Sequence, residues 1–215
     1  GSSGGGGNRG GNKVTDVYVG DKDKDDTSNV VEPSNEPYDD LESVTWAKDS
    51  ILSLTEKGIV SGDGNKKFRP NDNIKREEFL KIALEAFDLV SDGAVCKLDD
   101  VAENAWYYKY IASGMEKELV NGVDERHFGV GSEITRQDMA TLAYRIAVYA
   151  GVDLSGGNGI AFSDEAEIGS YAKEAVAAMS ANGIINGVGD GNFAPGSFAT
   201  RAQACKIISQ LLSLA

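Results

Sequence analysis

Three stretches of the chain align without a gap. "WAKDSILSLTEKGIVSGDGNKKFRPNDNIKREEFLKIALEAF" begins at Trp46, "WYYKYIASGMEKELVNGVDERHFGVGSEITRQDMATLAYRIA" at Trp106 and "YAKEAVAAMSANGIINGVGDGNFAPGSFATRAQACKIISQLL" at Tyr171. Ile51, Ile111 and Val176 correspond, as do Gly62, Gly122 and Gly187; Phe68, Phe128 and Phe193; and Arg76, Arg136 and Arg201. An acidic signal recurs upstream as "YDDL" at Tyr38, "LDDV" at Leu98 and "FSDE" at Phe162, with one inserted residue in the third copy. Repetition at this period means three copies of one supersecondary unit, and it limits the fold before any other feature is read.

Each copy reads as helix, loop, helix. Trp46, Ile51 and Leu54 give helical spacing, and Gly58 is placed to end that helix. Gly183 does the same in copy three, whereas copy two has Glu118 there and must end its helix without glycine. The loops "SGDGNKKFRPN", "NGVDERHFGVG" and "NGVGDGNFAPG" are rich in residues that tolerate tight turns. Their single Phe reads as a plug into the core. The second helix carries one apolar stripe at i, i+3, i+4, i+7 and i+8. It is Phe79, Ile82, Ala83, Ala86 and Phe87 in copy one; Met139, Leu142, Ala143, Ile146 and Ala147 in copy two; and Ala204, Ile207, Ile208, Leu211 and Leu212 in copy three. One hairpin of short helices cannot bury such a stripe. The expectation is an all-α fold in which the three longer helices form a central bundle with the hairpins around it.

The second helices begin unusually. Thr135 and Thr200 are suited to cap them, with Asp138 and Gln203 three residues on. Copy one has Lys75, which has no side-chain acceptor, followed by Glu78. The arginine then falls in the first turn, where the backbone already carries partial positive charge and a cation is disfavoured. Two readings follow: each arginine pairs with the acid or amide two residues on or with a neighbouring repeat, or it adds donors to a site that favours an anion. Trp46, Trp106 and Tyr171 likewise read as core or as platforms for a ligand.

The rest of the chain narrows the chemistry. The net charge of −13 argues against nucleic acid. Much of it lies between residues 16 and 42, an acidic segment after the glycine-rich opening "GSSGGGGNRGGNK", and 1–37 reads as a flexible linker within a piece of a longer protein. Asp21, Asp23, Asp25 and Glu32 match positions 1, 3, 5 and 12 of a calcium loop, but Asp26 stands where that loop needs glycine. A solvated linker is the better reading, and no metal or cofactor is expected. No apolar run reaches the length of a membrane span, and no signal peptide opens the chain. Cys96 and Cys205 make neither a disulfide scaffold nor a metal motif, and Cys205 reads as a buried thiol. His127 is the only histidine, with no nucleophile elbow nearby, and no acid pair stands apart from the repeats. The chain does not read as an enzyme.

With the aromatic start, the G-x-x-x-x-x-F loop and the arginine helix start present three times, the chain resembles a tandem of bacterial S-layer homology domains. The family pattern runs F-x-D, W-A, I, G-I-x-x-G, F-x-P and I-T-R-A-E, and residues 38–215 follow it. Departures are Lys75 for Thr, Asp138 and Gln203 for Glu, and a second loop without the proline that Pro70 and Pro195 supply. The resemblance implies repeats at 38–97, 98–161 and 162–215 that form one pseudo-threefold unit. It implies non-covalent anchoring of a surface protein to the cell wall, outside the cell. The ligand would be secondary cell wall polysaccharide, often pyruvylated, bound in grooves between repeats. On this reading Arg76, Arg136 and Arg201 hold a ketal carboxylate, a match for the guanidinium fork. Trp46, Trp106 and Tyr171 stack on sugar faces. Gly62, Gly122 and Gly187 admit the ligand close to the backbone. Lys75, Thr135, Thr200, Glu78, Asp138 and Gln203 complete the motif. Arg136→Ala and Arg201→Ala should then weaken binding with little change in melting, and Arg76→Ala should matter less. The competing reading is a structural module that packs on protein neighbours in a surface array. The expected partners are the wall polymer and an attached cargo domain, with the chain itself a monomer.

Overall fold

Every aromatic-led and arginine-led segment is helical in the computed structural model, which describes residues 36–215. The helices are α1 (Thr45–Glu56), α2 (Arg76–Ala86), α3 (Tyr108–Glu116), α4 (Arg136–Tyr149), α5 (Lys173–Ala181) and α6 (Arg201–Leu212). Short 3-10 turns at Leu41–Val44 and Glu165–Glu167 precede α1 and α5. No β-sheet occurs among the described residues. The glycine-rich segment, most of the acidic linker and the run from Asp21 to Glu32 lie outside them.

The apolar stripes form the core. Phe79, Ala83, Met139, Ala143, Ile146, Ala204, Ile208 and Leu211 are all buried, and Ile51, Ile111 and Val176 join them from the first helices. Burial reaches past the stripes to Leu80, Leu84, Ala140 and Cys205, because each long helix is covered on two sides. The arginine-led helices α2, α4 and α6 contact one another in every pairing, although in the first repeat α1, at 12 residues, is longer than α2 at 11. The expected closed hairpins, however, do not form. Instead α1 packs on α6, α3 on α2 and α5 on α4, so each first helix lies on the second helix of the preceding repeat. Helical periodicity specifies the face to be buried but not the partner that buries it.

The helix starts interlock in the same cyclic order. The Ile74 amide donates to Ala199 O at 2.9 Å, Ala199 N to Ile134 O at 2.9 Å, and Ile134 N to Ile74 O at 3.0 Å. Two residues on, Arg76 N donates to Ser132 O, Arg136 N to Ser197 O and Arg201 N to Asp72 O, at 2.8–3.0 Å. A helix's first N–H groups lack intrahelical acceptors, and here the neighbouring repeat supplies them.

Phe68, Phe128 and Phe193 are buried plugs. The recurring upstream acid fixes each one. Asp40 accepts from the amides of Phe68 and Arg69, Asp100 from Phe128, Gly129 and Val130, and Asp164 from Phe193 and Ala194, at 2.7–2.9 Å. Partial burial opposes ionisation of Asp100 and Asp164, but the loop amides outweigh it and hold both carboxyls below their ordinary pKa.

Candidate ligand groove

The three arginines leave their helix starts and reach into a neighbouring repeat. Arg136 Nε donates to Phe193 O at 2.8 Å, Arg201 Nε to Phe68 O at 3.1 Å and Arg76 Nε to Phe128 O at 3.3 Å. Each guanidinium lies over the ring of the same plug, 4.6–5.1 Å from its centroid. None of the three has a carboxylate partner among the described residues. The neighbouring-repeat contact therefore exists, but its acceptor is a carbonyl and a π face rather than an acid. Arg136 is only 7% exposed; burial works against its charge and Asp164 works for it.

The aromatics are not core residues. Trp46, Trp106 and Tyr171 are 52%, 54% and 54% exposed. Trp46 lies in the first turn of α1, and Trp106 and Tyr171 stand in the turns just before α3 and α5; all three helices pack on another repeat. A cavity of about 570 Å³ shows the result, for it is lined by Trp46 of the first repeat, Arg136 of the second, and Gly187 and Gln203 of the third. Its volume suits a sugar unit or two. Among the described residues its only charged lining side chains are Arg136 and Lys206.

The corresponding positions elsewhere differ. Tyr171 OH donates to Asp138 Oδ1 at 2.6 Å; burial, reinforced by that carboxylate, pushes the phenol pKa up to about 12. Arg76 Nη2 donates to Asn121 O and Arg201 Nη2 to Ser61 O, each beside its loop glycine. Trp106 packs against Tyr107 and Tyr110. The glycines have a reason of their own: a Cβ on Gly62, Gly122 or Gly187 would lie 2.3–2.6 Å from a carbonyl of the same loop. Loop closure alone demands them, and Gly187 also lines the cavity.

The helix caps follow the sequence closely. Thr135 accepts from Asp138 N, and Thr200 from Gln203 N, each at 3.3 Å. Gln203 Oε1 accepts in return from Thr200 N at 3.2 Å, which closes a capping box. On α2 only half a box forms. Glu78 accepts from Lys75 N at 2.9 Å, while Lys75 Nζ turns to Gly131 O of the next repeat at 2.8 Å. Lys206, Gln210 and Asn186 line the cavity and carry no motif signal in the sequence. Only the fold brings them to it.

The S-layer homology domain pattern matches residues 37–80, 97–140 and 161–205. A surface-layer 125 kDa protein of Lysinibacillus sphaericus is 31% identical over 171 residues, 78% of this chain and 14% of that protein. An exoglucanase of Acetivibrio thermocellus is 30% identical over 171 residues, again 78% of this chain and 15% of its own length. An S-layer protein of Bacillus anthracis is 26% identical over 187 residues, 84% of this chain and 22% of that protein. The chain thus spans less than a quarter of these relatives. Two of the three are named as surface-layer proteins, which together with the matched domains places this chain outside the cell, at the bacterial surface, as an anchoring module. The chain belongs to the S-layer homology domain family.

Proposed function

We propose that residues 38–215 anchor a longer surface protein to secondary cell wall polysaccharide through grooves between repeats. The repeats run 38–97, 98–161 and 162–215 around a pseudo-threefold axis, and the chain acts as a monomer with its cargo attached. The observation that carries this reading is the joining of Trp46, Arg136, Gly187 and Gln203, from three repeats, at one cavity that no acidic side chain of the described residues lines. In a chain of net charge −13, an anionic polymer is repelled at long range, so such local donors must supply the attraction. A half-exposed indole offers a flat apolar face to a sugar ring. The inner guanidinium N–H of Arg136 is engaged by Phe193 O, which leaves the outer ones for a carboxylate such as that of a pyruvate ketal. Sedimentation with cell-wall sacculi tests the reading. The chain should co-sediment with sacculi that retain the secondary polymer and stay in solution with sacculi stripped of it. Equal binding to both would refute it.

A further inference from the structure

The cavity continues along α6 beyond the residues of the repeated motif, to Lys206 and Gln210. Lys206 has no carboxylate partner among the described residues. Its counterpart on α2, Lys81, is engaged by Glu85 at 2.6 Å and by Ile59 O at 2.9 Å. Its counterpart on α4 is Thr141, whose hydroxyl donates to Gln137 O at 2.8 Å. Where Glu85 neutralises Lys81, α6 places Gln210. That amide is neutral and is held by Nε2 donating to Gly183 O at 3.1 Å. One wall of a ligand-sized cavity therefore carries an ammonium that no carboxylate of the described residues neutralises, at a distinct position from Arg136.

We propose that Lys206 and Gln210 form a second subsite of this groove, which takes a glycan unit bearing two anionic groups. Arg136 holds the first and Lys206 holds the second, with the neutral Gln210 amide standing beside it in place of a competing carboxylate. Neither of the other two long helices offers this pair. The proposal rests on the groove being the glycan site, and the test separates the two. In a Trp106→Phe background Trp46 is the sole tryptophan, so its fluorescence reports this groove alone. Two probes are titrated: a methyl hexoside with one pyruvate ketal, and a disaccharide carrying that ketal and a uronic acid carboxylate, in both linkage isomers. The doubly charged probe should bind about tenfold tighter in one isomer, as a charge-assisted hydrogen bond provides. Lys206→Met should abolish that preference and leave the singly charged probe unaffected, and Lys206→Glu should reverse it. Equal affinity for the probes, or a preference that survives Lys206→Met, would overturn the second subsite alone. Failure of both probes to bind at any concentration would overturn the groove reading and this inference with it.

Discussion

The arginine at each long helix start sits where the helix dipole disfavours a cation, and the fold shows what offsets that cost. The side chain bonds the carbonyl of a neighbouring repeat's plug and covers its ring, so it cements two repeats, and Arg136 also lines the cavity. These contacts lead us to expect a larger loss of stability on removal of Arg136 than the little change in melting that the sequence alone suggests. Arg136→Ala should cost about 2 kcal/mol, the scale of a charged hydrogen bond. Arg201→Ala and Arg76→Ala should cost less, in keeping with their longer, more exposed contacts. Chemical denaturation of the three variants checks the order. The loop-clamping acids give a pH signature. Asp100 and Asp164 have folded pKa values below their unfolded ones, so their contribution is complete above the unfolded value and disappears as pH falls through the folded one. Stability should decline below about pH 4, and Asp100→Asn should flatten that acid limb. Acid melts with an unchanged limb in the variant would contradict the clamp. The acids were visible in the sequence as a recurring signal, but their role was not, because the amides they hold lie far along the chain.

At the scale of elements, periodicity and caps were legible because they depend on neighbours along the chain. The stripes, the loop plugs and the Thr135 and Thr200 caps all stand where local chemistry put them. Thr200→Ala and Thr135→Ala should each cost about 1 kcal/mol. Lys75→Thr should be near neutral, for it gains a cap acceptor and loses the bond to Gly131 O. The first helices end in the left-handed region at Gly58, Glu118 and Gly183, with φ of 72°, 55° and 68°. Only glycine adopts that conformation without strain. Glu118→Gly should therefore raise stability by about 1 kcal/mol, measured by denaturant midpoint; a loss would show that the Glu118 side chain has a role of its own.

The whole molecule is where the sequence was least informative. Apolar stripes cannot specify that α1 closes on α6 from the far end of the chain, so the exchange of partners between repeats went unread. For the same reason the half-exposure of Trp46, Trp106 and Tyr171 was not decided by their place at the head of each repeat. Cyclic interlocking predicts that a chain ending after the second repeat loses the cover of α1 and the acceptor of Arg136 N together. It should melt without a cooperative transition by circular dichroism, whereas independent repeats would leave a stable two-repeat remnant. The central claim, that aromatics displayed between interlocked repeats bind the wall polymer, is tested most directly by replacing Trp46, Trp106 and Tyr171 together with alanine. Binding to purified secondary cell wall polysaccharide is measured beside a thermal melt of the same sample. The prediction is loss of binding with a cooperative melt retained, since all three side chains are half exposed. A folded triple variant that binds the polymer as well as the parent would contradict it.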